Sequence, residues 1–392
     1  MKFIRKIMGF ESRYSWVKWL RIGFAAAALL MALIFYYNFG GFAIDDGIGG
    51  LIISVIMFGV FFAPILLVIM VVSVLIGAVV GGVSSGRKQH KSLKESEATG
   101  STEFLELDRA RIKVQIASFL YFLAIGVAVL IGIAVHVYAE TGLVVIYVIV
   151  AIIVFFKIGI LVLKASSRYR DSFKDEIVKK RLEEVFKQVD FRPNEKIDES
   201  NIEESQLFTS YDRYNGNDYL SASCQNKRFI QSDVHLEEEY EATYTDDDGN
   251  TQTVTRYRTV FRGRLMIFDY DAISNEPVMV YSKSGSGYPF SKGIQTELDA
   301  FNRKFHVVSK DSLGALRILT PQVTEAIMLA GEKINFPISL SFINDKIYVA
   351  VAMGDSFEAA IVGDSTLSEL RERVEYEIQI MVDLMEILYF RD

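Results

Sequence analysis

The sequence predicts a multi-span α-helical membrane region followed by a soluble α+β domain with mostly antiparallel strands. Three observations carry that expectation. Long apolar runs are confined to residues 22–163 of the 392-residue chain, although hydrophobic residues make up 51% of the whole. Charge divides at the same place: up to Lys164 there are 15 Lys+Arg against 9 Asp+Glu, and from Ala165 onward 27 against 40. Beyond the divide, apolar residues alternate or recur at helical spacing, as they do in a water-soluble domain.

Residues 1–21 open the chain with Phe3, Ile4, Ile7, Met8 and Phe10 interleaved with Lys2, Arg5 and Lys6, and Trp16 and Trp19 follow. A basic amphipathic segment lying on an anionic leaflet fits this pattern, as does a plain basic flank. No cleavable signal peptide is visible, and the first apolar run reads as a signal anchor.

A spanning helix needs about 20 mostly apolar residues, because every backbone amide must find its partner without water. Four stretches qualify, forming a first pair within 22–83 and a second within 112–164. They lie at about 22–44, 54–80, 113–136 and 142–163. The second holds Pro64, which kinks a helix by removing a donor; a re-entrant hairpin over 48–83 is the alternative. Lys and Arg crowd residues 1–21, the loop 84–111 and the segment after Lys164. The other two loops hold Asp45, Asp46 and Glu140 and no base. That alternation places both termini in the cytosol of a multi-pass protein. Lys157 is the one charged residue inside a span and reads as snorkelling to the headgroups. Gly77/Gly81 and Ala128/Gly132 permit close helix packing and are compatible with self-association through the spans. No series of buried acids marks an ion path, so a small-solute transporter is the weakest reading.

Residues 165–392 form the expected cytosolic domain. Tyr169, Phe173, Ile177, Leu182, Val185 and Phe186 approximate one stripe of a helix over 165–189, ended near Pro193. A short helix follows near 199–208. Residues 228–244 and 251–270 alternate and join through Asp246–Asn250 as a hairpin. Further strands are expected near 277–282, 305–308, 336–342 and 346–352, the last two around Asn344-Asp345. Helices are expected near 295–303, from Thr320-Pro321, and over 367–389 with Thr366 and Glu369 as a capping box. The helices are expected on one face of the sheet.

Candidate chemistry is sparse. Asp212, Arg213 and Asp218 surround an expected turn at Asn215-Gly216; two carboxylates beside a guanidinium suit acid–base work, and equally a polar turn. Glu237, Glu239 and Glu241 share one strand face and suggest an acidic docking surface. Asp246–Gly249 fails the calcium-loop pattern, with Tyr244 at its first position. Ser284–Gly287 matches neither a nucleophile elbow nor a phosphate loop. One cysteine, Cys224, excludes an internal disulfide, and four histidines (His90, His136, His235, His306) give no metal-ligand spacing. No cofactor is expected. The acidic domain would repel phosphate backbones, which argues against nucleic acid as a partner.

Several stretches resemble the bacterial membrane-protein family of domain of unknown function 3137 over residues 168–362. They are Leu207-Phe208, Asp212–Asp218, Thr259–Leu265, Phe301–Phe305, Ile318–Pro321, Ile338–Phe342 and Ile347–Ala350. Asn217 stands where that family usually has Glu, and the pair at 22–80 lies outside the resemblance. The resemblance implies a bacterial plasma-membrane location and a LemA-type membrane protein, or another membrane protein, as partner. It implies no activity. The leading reading is therefore a membrane-anchored interaction, scaffold or sensor domain. The alternative is a membrane-bound enzyme with its site near Asp212–Asp218, completed by Arg256 or Arg262.

Overall fold

A computed structural model describes residue 94 and residues 102–138, 141–208, 210–245, 251–270, 276–285, 292–360 and 367–388. The expected segment 1–21, the first helix pair at 22–83, the turn at 246–250 and the Thr366 cap lie outside the described residues. The chain divides into two compact units, one of residues 1–172 with 360–369, the other of 173–359 with 370–392.

In the first unit, α1 (Thr102–Tyr138) and α2 (Thr141–Phe173) are both long and apolar enough to cross a membrane. Helix α1 begins inside the stretch expected to be loop to residue 111, because nothing from Thr102 onward breaks a helix. Phe122, Ile146, Phe156, Leu161 and Leu163 are all at least 60% exposed. Such a density of outward-facing apolar side chains suits lipid rather than water. Where the two helices meet, Ala128 and Gly132 leave room for Tyr147, whose hydroxyl donates to the Ala128 carbonyl at 2.5 Å. Lys157 is exposed.

The second unit begins with a π-helical turn (Lys174–Lys179), then α3 (Lys180–Val185) and β1 (Lys187–Arg192). The continuous helix expected to residue 189 is thus corrected twice. Tyr169, Phe173 and Ile177 are buried in one helical phase, and Val178, Leu182 and Phe186 in a phase one residue later. A π-turn absorbs that extra residue. The chain then turns extended at Phe186.

The remaining elements are α4 (Glu199–Ser205), β2 (Arg213–Cys224), β3 (Lys227–Thr245), β4 (Thr251–Asp269), β5 (Val278–Ser282), α5 (Asp299–Lys304), β6 (Phe305–Val308), α6 (Ser312–Ile318), α7 (Pro321–Ile334), β7 (Ile338–Ile343), β8 (Lys346–Val351) and α8 (Leu367–Leu388). The strands form one sheet of order β1-β2-β3-β4-β8-β7-β5-β6, antiparallel throughout. Thr320 caps α7 through the Val323 amide with Pro321 in the first turn, as expected. Asn344 and Asp345 both take positive φ in the β7–β8 turn, which suits a type I′ connection.

Helices cover both faces, not one. Ile202 of α4 packs with Val234, Leu236, Leu265 and Tyr348. Arg264, next to Leu265 and so on the opposite face, donates to the Glu377 carbonyl of α8 at 2.8 Å. Strands β3 and β4 outrun the sheet. Pairing of β2 with β3 stops at Glu237, and pairing of β4 with β8 starts at Arg264. Residues 238–245 and 251–258 therefore form a two-stranded ribbon reaching roughly 25 Å beyond the sheet.

Candidate functional site

No turn exists at Asn215-Gly216. Strand β2 runs straight through it, with Asn215 opposite His235 and Gly216 opposite Val234. Glycine is required there by proximity: a Cβ at Gly216 would lie 2.4 Å from the Asp233 carbonyl oxygen. The turn that closes β2 on β3 is Gln225-Asn226, both at positive φ.

Straightening this stretch separates the predicted residues. Asp212 and Arg213 stand at the root of the ribbon. The Asp212 carboxylate accepts from the Glu239 amide at 2.6 Å, and its own amide donates to the Glu237 carbonyl at 2.8 Å. The Arg213 guanidinium lies 3.6 Å from the Tyr257 ring centroid and donates to the Tyr257 hydroxyl at 2.6 Å. That hydroxyl donates to Glu239 at 2.9 Å. Glu237, Glu239 and Glu241 share a strand face, opposite Thr259, Tyr257 and Thr255. Glu238 on the other face pairs with Arg258 at 2.6 Å.

Asp218 faces elsewhere. The β2–β3 register slips between Asn217 and Leu220, and Asp218 occupies this bulge at positive φ with its side chain fully buried. The Pro193 carbonyl accepts from its amide at 3.1 Å. Lys174, the first residue of the π-turn, donates to both carboxylate oxygens at 2.6 and 2.8 Å. Sequence reasoning missed Lys174 because it looked like one more charge on a solvated helix face.

Around this pair lies a buried charge cluster. Asp233 on β3 accepts from the amide and hydroxyl of Ser356. Arg264 on β4 is buried, lies 4.8 Å from the Phe357 ring centroid, and is attracted to Asp233 and Glu377. Glu377 accepts from the Phe357 amide at 2.7 Å and from Arg373 at 2.8 Å. Arg262, exposed, clamps Asp355 through two nitrogens. It therefore does not join Asp212 or Asp218, and Arg256 stays on the ribbon opposite Tyr240. Burial, with Asp233 nearby, pushes the Asp218 carboxyl up to about 8 against the pull of Lys174. Burial lifts Asp233 to about 6 against Arg264 and the Ser356 bonds. The Arg262 clamp holds Asp355 below its ordinary value.

The other sequence candidates sit apart. Cys224 is half-buried, and burial raises its thiol, which disfavours a thiolate nucleophile. His235 meets Thr259 at 3.2 Å. Among the described residues no group of three or more His, Cys, Asp or Glu is placed to hold a metal. A shallow cleft of about 460 Å³ lies by Lys283, Arg303, Phe305, Met328 and Phe336, away from every predicted site residue.

Residues 259–389 match the family model described as Protein of unknown function (DUF3137), which supports membership of that family. The match starts at the Thr259–Leu265 stretch, so the stretches at 207–218 precede it. No curated protein matches the chain. A crystal structure titled mycobacterial trehalose monomycolate transport factor A, TtfA, is similar at 10% identity with a TM-score of 0.28, covering 56% of this chain and 94% of that one.

Proposed function

We propose that this chain, carrying the DUF3137 domain, is a membrane-anchored interaction module whose docking element is the β3–β4 ribbon. One observation carries the reading: a ribbon that outruns the sheet, its strand edges without a neighbouring strand among the described residues, with an acidic face of Glu237, Glu239 and Glu241. An isolated two-stranded ribbon is marginal in water, so one this long implies a use, and strand edges are ready templates for added chain. The partner is a second membrane protein presenting a basic segment, and a LemA-type protein is the one the family resemblance implies. Four spans with both termini in the bacterial cytosol complete the reading. It is supported by the alternation of basic loops and by two helices of spanning length and composition. The enzyme alternative gains nothing from Asp212 and Asp218, which lie about 20 Å apart along an extended strand.

A photo-crosslinking residue at Tyr240, tested in cells, addresses the docking role. A discrete membrane-protein adduct is expected, lost when Glu237, Glu239 and Glu241 are replaced by Ala while the melting temperature holds. Absence of any adduct, or an adduct indifferent to the three replacements, would remove the ribbon from the mechanism.

A further inference from the structure

The shallow cleft at the end of the β5–β6 pairing carries charge of the opposite sign to the domain around it. From Ala165 onward acids outnumber bases 40 to 27. Around the cleft, Lys283, Arg303 and Lys304 stand against a single acid, Glu332.

The backbone holds these bases together. The Lys283 amide donates to the Lys304 carbonyl at 2.9 Å, one step past the Ser282–Phe305 pair that ends the β5–β6 ladder. Lys283 and Lys304 thus lie opposite one another, and Arg303 precedes Lys304 in the last turn of α5. Like charges so placed repel. Glu332 of α7 answers Lys304. The Lys283 ammonium donates to the Asn302 carbonyl at 2.7 Å. Among the described residues, Lys283 and Arg303 have no carboxylate partner, and both are exposed. Burial, and then the Lys283 charge, hold the His306 ring below its ordinary value, as an uncompensated cation would.

Beneath the basic rim the lining is apolar. Phe305 is buried, and Met328 and Phe336 are half-buried. Gly331 sits inside α7, where glycine is a poor helix former. A Cβ there would lie 3.2 Å from the Phe305 ring, so the missing side chain lets α7 approach it and adds no bulk to the cleft. The volume of about 460 Å³ falls within the roughly 300–1,000 Å³ of small-molecule sites, which combine apolar walls with a few convergent polar groups.

We propose that this cleft binds an amphipathic anion, its oxyanion head on Lys283, Arg303 and Lys304 and its apolar chain against Phe305, Met328 and Phe336. The Arg303 guanidinium offers a planar fork for a carboxylate or phosphate head, and the lysines add point charges. A bare anion would leave the apolar floor unused, and a neutral apolar molecule would leave the charge unanswered. Free acyl carboxylates and phospholipids share the required chemistry. The site stands independently of the ribbon's docking role.

Hydrogen exchange of the full chain in phosphatidylcholine nanodiscs, with and without decanoate, tests the site. Protection in residues 282–285, 301–308 and 328–336 is expected to rise at least about threefold at saturating decanoate, with the ribbon unchanged. Acetate, the head alone, and decanol, the chain alone, are expected to give no rise. Arg303→Glu is expected to abolish the gain at an unchanged melting temperature. Lys283→Gln, which keeps a donor for Asn302, is expected to weaken it. Nanodiscs containing phosphatidylglycerol, without decanoate, separate the sources: the same gain, lost in Arg303→Glu, assigns the head to a bilayer lipid, and a gain with decanoate alone assigns it to a free amphiphile. The proposal is overturned if neither anion raises protection, if acetate or decanol matches decanoate, or if Arg303→Glu and Lys283→Gln both keep the full gain.

Discussion

Asp218 and Gly263 show how single positions set this site. Removing the Asp218 carboxylate strands the Lys174 ammonium in a buried place, since only 10% of its side chain is exposed. Asp218→Ala is expected to cost about 3–5 kcal/mol, whereas Lys174→Met/Asp218→Asn, which leaves no charge at the pair and keeps a residue suited to positive φ, is expected to cost less. Thermal melts of the detergent-solubilised full chain compare them. At Gly263 a Cβ would sit 2.0 Å from the Val351 carbonyl oxygen, just where the β4–β8 pairing begins. No flexible side chain can yield there, because the obstacle is backbone. Gly263→Ala is expected to lower stability by at least about 1–3 kcal/mol in the same melts. The residue's place in a family-like stretch was legible from sequence; its reason, close approach of a strand seven elements later, was not.

The helical segment that follows α2 illustrates the element scale. Its apolar stripe was readable, and Tyr169, Phe173, Ile177, Leu182 and Phe186 are all buried. The one-residue slip between Ile177 and Val178 was also present in the sequence, but the slip has meaning only once both halves are seen buried. Deleting Val178 would restore uninterrupted α geometry and, because the π-turn already absorbs one residue, would leave Leu182 and Phe186 in the phase of Tyr169, Phe173 and Ile177. Leu182 and Phe186 would stay on the buried side, so the variant is expected to keep a cooperative melt, followed by near-ultraviolet circular dichroism, and loss of that melt would show that the slip is not absorbed by the π-turn. Strand β2 was missed because Asn-Gly is a strong turn signal. Here tertiary pairing overrode it, and the turn formed at Gln225-Asn226, where both residues adopt positive φ.

Across the whole molecule, the buried carboxyls give the fold a pH dependence of opposite sign to a salt-bridged surface. Asp218 and Asp233 bind protons more tightly folded than unfolded, where an aspartate titrates near 3.9. Their contribution is fully present below about pH 4 and is lost as pH rises through about 6 for Asp233 and about 8 for Asp218. Asp355, held low by Arg262, works the other way: its contribution is present above pH 4 and lost on acidification. Melting temperatures of the native chain and Asp218→Asn between pH 5 and 8.5 isolate the first effect. The native chain is expected to fall relative to the variant as pH rises, and parallel curves would deny Asp218 any part in it.

The sequence by itself determined the division into apolar helices and an acidic antiparallel domain, the β3–β4 hairpin, the Thr320 cap and the acidic face at Glu237, Glu239 and Glu241. Each of these is written in local periodicity, charge or turn chemistry, which neighbours in the chain specify among themselves. The tertiary structure alone decided that Asp212 and Arg213 serve the ribbon root while Asp218 turns inward to Lys174, and that Asp233, Arg264, Ser356 and Glu377 gather around them. Those partners are separated by tens to more than a hundred residues. Only the sheet register and the crossing of α8 bring them together, because a buried charge must find its counter-charge wherever the fold supplies one.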